Sequence, residues 1–314
     1  MSKKKYFINK KNINSLDKYF LVSNKAILEK EIENIVDNIW SGTGKFEEIL
    51  KPLCISHLNI TWLRRLYIYY FSIKNLKKEY GEIVVEDDFY ILKIFKDKFD
   101  LKILSGGKKL DGQFYLENYL QWVDYSKTNL MKKCYKKLIF FIKKFQKLDI
   151  IYLNAGKLEK DFNLLKNTMN ADFIERKNNI LNKKDVTFIQ KQVRKNIKNM
   201  NVSISKKILE RFFEDKLIKF IPDLLSHIYS IAEFIKRRNI KLAIISTSSH
   251  DKHLSLFIAS KISKIPCLLL GHGLAGTINP FLDNSHFYNA KISDIEYNYD
   301  LADNLSFKPK WFYE

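Results

Sequence analysis

The stretch Asn239–Asn284, NIKLAIISTSSHDKHLSLFIASKISKIPCLLLGHGLAGTINPFLDN, decides the fold. Leu242 to Ile245 is a short, wholly apolar run of the kind that forms a strand buried on both faces. It stops at the polar turn Ser246-Thr247-Ser248-Ser249, where Ser248 followed by Asp251 has the form of an N-cap with an acidic first turn. A helix is expected from His250 to Ser263, with Leu254, Phe257, Ile258 and Ile262 on one side, broken by Pro266. Cys267 to Leu270 is a second apolar run, and it ends in Gly271-His272-Gly273. Strand, helix and strand at this spacing predict a βαβ crossover, whose two strands are parallel neighbours.

Ligands of parallel α/β sheets bind outside the carboxyl ends of the strands, where loops and helix N-termini converge. Both polar tips of this unit, Ser246–His250 and Gly271–Thr277, belong to that edge. Four of the six histidines (His250, His253, His272 and His286) lie in the same region.

Working outward, a chain of 314 residues with 46% hydrophobic and 14% aromatic residues can bury a substantial core. Three well-separated cysteines, Cys54, Cys134 and Cys267, form neither a disulfide framework nor a metal cluster and point to a reducing compartment. The N-terminus is charged and has no apolar core of the secretory type. Uncharged apolar runs of roughly eighteen residues are absent, so a soluble or peripheral protein is expected. The net charge is +20, yet residues 241–314 carry seven Lys against seven Asp and Glu, so the excess lies entirely in residues 1–240. A basic body beside a neutral candidate site suits a membrane surface, nucleic acid or phosphate-bearing substrates. Lysines dispersed over solvated helix faces give the same total.

Lys18–Asn24 reads as a first strand, with Ser23 or Asn24 capping the helix that follows. Gly42-Thr43-Gly44-Lys45 is a turn and not a phosphate loop, since Ile39 and Phe46 stand where that loop needs Gly and Ser or Thr. His57–Lys78 is an aromatic-rich helix with Trp62, Leu66, Tyr69, Tyr70 and Ile73 as a core stripe and Arg64 and Arg65 at the surface. Glu82–Glu86, the helix FYILKIFKDKF and Leu101–Leu104 form a second βαβ unit. Its carboxylates Glu86, Asp87 and Asp88 read as helix caps in preference to a general base. Tyr115–Lys147 holds one or two helices, ending in the basic amphipathic KKCYKKLIFFIKKFQK. That segment fits an interfacial membrane helix, or equally a helix on a sheet with a lysine-rich outer face. Ile150–Leu153 is another strand, Val186–Met200 an exposed helix, and Ser205–Arg238 a run of long helices.

At the tip, the glycines flanking His272 permit a sharp turn and close approach of a ligand, and a rigidly held imidazole titrates near neutral pH. Leu274 to Thr277 continues a small-residue loop whose amides suit an anion. A zinc site at His250 and His253, with Asp251 between them, lacks the supporting cysteine pair or HExxH pattern. A serine hydrolase is disfavoured because no serine sits in a GxSxG elbow.

Residues Lys241–Gly276 resemble the end of the N-terminal domain of GT-B-type glycosyltransferases of bacterial surface-polysaccharide synthesis, and of the related CDP-glycerol glycerophosphotransferases. The resemblance rests on Lys264-Ile265-Pro266, the apolar strand Cys267–Leu270, and Gly271-His272-Gly273, with Gly271 where Gln or Trp is usual. Five or six short apolar strands alternating with helices already read as an α/β, doubly wound, mainly parallel sheet, and the resemblance implies that it is Rossmann-like, with long helices, over residues 1–287. Residues 288–314 are then a linker or the start of a second domain that is missing, truncated or supplied by a second chain. It further implies transfer of a sugar from a nucleotide-activated donor to a glycan or lipid-linked acceptor, for capsule or lipopolysaccharide. His272 would be the catalytic base, with Ser248, Ser249, His250, Gly271, Gly273 and Thr277 contacting substrate. No tightly bound cofactor or metal is implied, since a helix N-terminus and basic side chains offset the leaving diphosphate. The implied location is cytoplasmic, peripheral to the inner face of an anionic membrane. The competing readings are a basic nucleic-acid-binding protein without enzymatic activity and an inactive transferase subunit.

Overall fold

The computed structural model describes residues 4–9, 11–55, 57–87, 89–104, 130–153, 167–174, 182–218, 221–245, 251–271, 295–298 and 305–307. The chain is α/β, but its strands lie in two sheets where one was expected. It divides into two units: Met1–Ser41 with Ile60–Asp124 and Gln190–Phe220, and Gly42–Asn59 with Tyr125–Ile189 and Ile221–Glu314. Apolar periodicity reports that a segment is a strand, not which strand it pairs with, so sheet number was not available from that signal.

In the first unit β1 (Lys5–Ile8), β2 (Glu82–Val85) and β3 (Lys102–Ile103) form a parallel sheet in that order. The first strand is therefore KYFI, earlier than expected, and Ile13–Tyr19 is a 3-10 helix in place of a strand. The reason is local. Asn9 N donates to Asn12 Oδ1 at 2.8 Å and Asn12 Nδ2 to the Phe7 carbonyl at 2.7 Å, which closes a tight turn directly after Ile8. Helix α1 (Ser23–Asn38) buries Leu28, Ile32, Ile35 and Val36, and Val22 occupies its N-cap without a side-chain cap.

Gly42 and Gly44 have φ of 75° and 61°, the left-handed turn expected of them, ahead of α2 (Glu47–Ile55). Helix α3 (His57–Glu79) presents Leu66, Tyr69, Tyr70 and Ile73 of the expected stripe to the core, while the Trp62 side chain lies outside the described ones. Tyr70 meets Phe95 and Phe99 of α4 (Tyr90–Phe99) at 6.0 and 5.0 Å between ring centres.

Arg64 departs from expectation. It is 5% exposed, and its Nη2 meets Glu29 Oε2 of α1 at 2.8 Å. Three residues on, Tyr67 is fully buried and donates to Glu31 Oε2 at 2.7 Å. Carboxylates of α1 thus receive the polar ends of α3, which makes burial of an arginine tolerable. Helix α6 (Lys183–Asn199) follows α5 (Leu130–Lys144) in the chain; it was expected to be exposed, yet Ile189, Val193 and Ile197 are fully buried at helical spacing. Helix α7 (Lys206–Lys216) buries Ile208, Leu209, Phe212 and Phe213.

The second unit carries a six-stranded sheet of β4 (Ile150–Leu153), β5 (Thr168–Asn170), β6 (Leu242–Ile245), β7 (Cys267–Gly271), β8 (Ile295–Asn298) and β9 (Leu305–Phe307). The order is β5-β4-β6-β7-β8-β9, parallel throughout except for β9. The last two strands come from the stretch read as a linker. Ile150, Tyr152, Leu242, Ile244 and Leu268 cluster on one face, and Ile151, Leu153, Ala243, Ile245, Cys267 and Leu269 are buried by the other. Burial on both faces is what the unbroken apolar runs required.

Helices α8 (Ile221–Arg238) and α9 (Asp251–Ser263) pack on each other, and α9 also touches α2. Residues Leu254 to Ser260 are all buried, so α9 is enclosed on every side and not on the single face expected. Ser255, Ala259 and Ser260 supply the small side on which a neighbour can close in.

Three helices hand over to strands by one device. After α4, α8 and α9 come Asp100, Asn239 and Lys264, with φ of 49°, 52° and 56°. The next amide then reaches back five residues, from Leu101 to Lys96 at 3.1 Å, Ile240 to Ile235 at 3.1 Å and Ile265 to Ser260 at 3.0 Å. This is the Schellman closure, made here without glycine. Lys264 is exposed, so Lys264→Gly is expected to relieve the left-handed strain and stabilise by about 0.5–1 kcal/mol in a denaturant titration. Glu29→Gln is expected to cost roughly 1–3 kcal/mol, because it strands the buried Arg64 charge; the carboxylate's partial exposure moderates the loss.

Burial pushes the Tyr69 hydroxyl up to about 12 and raises Tyr67 further, with its bond to Glu31 adding to the effect. These groups ionise later when folded than when unfolded. Their contribution is therefore complete below a pH of about 10 and is lost as pH rises through the folded values. The denaturation midpoint should fall with rising pH from about 10 upward, less steeply in Tyr69→Phe.

Candidate functional site

The βαβ unit is formed as its sequence implied. β6 and β7 are parallel neighbours joined through α9, with Ala243 opposite Cys267 and Ile245 opposite Leu269. Both strands end at one rim of the six-stranded sheet, as do β4, β5 and β8: Leu153 pairs with Ile245, Tyr152 with Asn170, and Gly271 with Asn298. Of the candidate site residues, Gly271 closes β7 at this rim. Ser248, Ser249, His250, His272, Gly273 and Thr277 lie outside the described residues, as does the tract beginning at Asn154. By chain connection, residue 246 follows Ile245 and residue 272 follows Gly271 at the same rim.

Strand order adds a feature that periodicity did not carry. The chain enters the sheet at β4, moves to β5 on one side, and then crosses to β6 on the other. Crossovers that diverge in this way leave a crevice at the carboxyl ends of the two central strands. The switch point here lies between β4 and β6, so the serine-rich segment 246–249 follows one of its two strands.

The rim also receives residues that sequence reasoning missed. Asn170 ends β5, is buried, and its side chain accepts from the Asp172 amide at 2.8 Å, opening the 3-10 turn Ala171–Phe173. The signal was present as Asn170-Ala171-Asp172, an Asx cap, but a three-residue strand before it is too short for alternation to register.

In the first unit, Glu86 after β2 serves structure. Asn9 Nδ2 donates to Glu86 Oε2 at 2.8 Å, tying the ends of β1 and β2. Phe89, not a carboxylate, holds the N-cap of α4 without a side-chain bond, which corrects the expected capping role; Asp88 lies outside the described residues.

A cleft of about 410 Å³ in the same unit is walled by Arg194, Lys207, Glu210, Arg211, Glu214 and Asp215. Arg194 sends Nε and Nη2 to the two oxygens of Glu214, both at 3.0 Å, and this bond raises the guanidinium's already high pKa. Lys198 pairs with Glu210 at 3.6 Å, and Tyr90 donates to Asp215 at 2.8 Å. Burial first, then that bond, raises the Tyr90 hydroxyl well above its ordinary value. The three carboxylates are thus taken up by internal partners, and the cleft reads as a clamp joining α4, α6 and α7.

Among the described residues, no group of three or more His, Cys, Asp or Glu side chains is placed to hold a metal ion. His250 lies outside them, so the sequence proposal of a zinc pair has no geometry to weigh. No family model matches the chain, and neither a curated protein nor a solved structure shows significant similarity to it.

Proposed function

We propose that the carboxyl rim of the six-stranded sheet is a transferase site of the GT-B glycosyltransferase kind. It would move a sugar from a nucleotide-activated donor to a glycan or lipid-linked hydroxyl. The observation that carries the reading is the parallel adjacency of β6 and β7, next to the switch point between β4 and β6. That arrangement sends the chain into Ser246–His250 and into His272–Thr277 from one rim, as the resemblance of Lys241–Gly276 to such enzymes requires.

The chemistry asks little of the protein beyond placement. A base takes the proton of the attacking hydroxyl as the new glycosidic bond forms and the bond to the diphosphate breaks. Amides and hydroxyls offset the charge that collects on the departing phosphate. His272 is the residue assigned to the proton. Ser248, Ser249, His250, Gly271, Gly273 and Thr277 are assigned to donor and acceptor contacts. The neutral charge balance of residues 241–314 suits a neutral sugar, while cationic residues elsewhere in the chain favour approach of an anionic donor.

The test is nucleoside-phosphate release by the full chain supplied with a panel of nucleotide sugars and glycan or lipid-linked acceptors. His272→Ala should lower turnover by roughly a hundredfold or more while leaving the far-ultraviolet dichroism unchanged. Undiminished transfer by that variant would remove His272 from the mechanism. Binding of RNA with steep salt dependence, and of no nucleotide sugar, would replace the enzymatic reading with a nucleic-acid-binding one.

A further inference from the structure

Helix α5 is amphipathic, and its apolar side faces away from the protein. Phe140 packs on Phe234 of α8 at 5.9 Å, and Tyr135 touches Phe173 edge-on at 6.2 Å. Arg238 Nη2 donates to the carbonyl oxygens of Lys143 and Gln146, pinning the helix's final turn. With the helix held in this way its outer side is defined. That side carries Leu138 at 57% exposure, Phe141 at 59%, Ile142 at 46% and, just past the helix end, Phe145 at 75%. At the helical repeat these four fall within an arc of roughly 100°. The alternative expected from sequence, a lysine-rich outer face, does not describe this side.

Its charge is equally one-sided. From Leu130 to Lys147 the chain has no Asp or Glu, and Lys132, Lys133, Lys136, Lys137, Lys143, Lys144 and Lys147 make up its ionisable residues apart from Cys134 and Tyr135. Lys137 and Lys147 are exposed. A second copy of the same helix, equally cationic and without a carboxylate to offset it, would bring like net charges together, which disfavours self-association through this face. A protein partner would need a groove shaped to a convex row of separate bulky side chains, whereas a fluid surface moulds to them. The cationic sequence complements anionic headgroups, and the exposed Lys137 and Lys147 have alkyl stems long enough to extend toward them. None of the helices, among the described residues, is long and apolar enough to cross a membrane.

We infer that α5 is a membrane-surface anchor, lying in the headgroup region of an anionic bilayer with Leu138, Phe141, Ile142 and Phe145 inserted. This holds whether or not the transferase reading does.

The experiment is flotation of the full chain with phosphatidylcholine vesicles, and with vesicles in which about a third of the lipid is phosphatidylglycerol. The chain should float with the anionic vesicles and hardly at all with the neutral ones. Phe141→Ser with Phe145→Ser should weaken that partition about tenfold or more, with the thermal midpoint unchanged. Lys137→Gln with Lys147→Gln should weaken it less and flatten its salt dependence. Three results would overturn the inference. One is no flotation of the unaltered chain at low salt. Another is equal flotation of the Phe141/Phe145 variant, which would mean diffuse charge adsorption alone. The third is a lowered thermal midpoint, or loss of a dimer in sedimentation velocity, in that variant, which would mean the face is packed within the protein or against a second copy.

Discussion

The backbone amides and carbonyls of Leu242–Ile245 lie between two apolar layers and find their partners in the strands on either side. This one requirement organises the second unit. A strand with no polar face has no stable place at a sheet edge, so β6 has to be central, with β4 and β7 beside it in parallel register. Parallel pairing in turn demands a crossover, and α9 supplies it. Because α9 is enclosed on all sides, it fixes the spacing between β6 and β7 as a core element would. The rim where these strands end is therefore set by rigid parts, which is the condition for any site built on it.

How helices pass into strands shows the cost of that rigidity. Asp100, Asn239 and Lys264 each take a left-handed conformation that glycine would accept without strain. The gain is that the following residue returns its amide to the helix and turns its side chain inward; Leu101 and Ile240 are both buried. The αL residue costs on the order of 1 kcal/mol, and buried Leu or Ile side chains offset this with roughly 1.5–3 kcal/mol each.

The first unit meets a different constraint. Polar ends have been brought inside it: Arg64 to Glu29, Tyr67 to Glu31 and Tyr90 to Asp215. Glu31 also accepts the Ser203 amide on both oxygens, at 2.8 and 2.9 Å, so one carboxylate joins α1, α3 and the segment before α7. Perturbed groups of this kind often mark active sites. Here the raised hydroxyls of Tyr67 and Tyr90 each donate to a carboxylate, Glu31 and Asp215, and these pairs tie helices together, while Tyr69 is raised by burial. Charge in this unit holds structure, while the described strands of the second unit are held by apolar packing on both faces.

The sequence by itself determined which segments become regular structure wherever the apolar pattern is unbroken. Leu242–Ile245, Cys267–Leu270, Ile150–Leu153 and the Ile83–Val85 part of β2 are strands, as short apolar, β-branched-rich runs bounded by polar residues suggest. It also pointed to parallel pairing of β6 and β7, since a crossover through one short helix most readily returns the chain beside the strand it left. The common rim at which β6 and β7 end, with Gly271 closing β7 there, was legible for that reason. The number of sheets was not, nor the burial of Arg64, nor the apolar outer face of α5. Each depends on which residue from a distant part of the chain arrives alongside: Glu29 for Arg64, Phe234 for Phe140, β4 for β6. Local pattern carries the propensity of a segment. The partner that satisfies or covers it is a matter of long-range closure, and only the tertiary structure decides that.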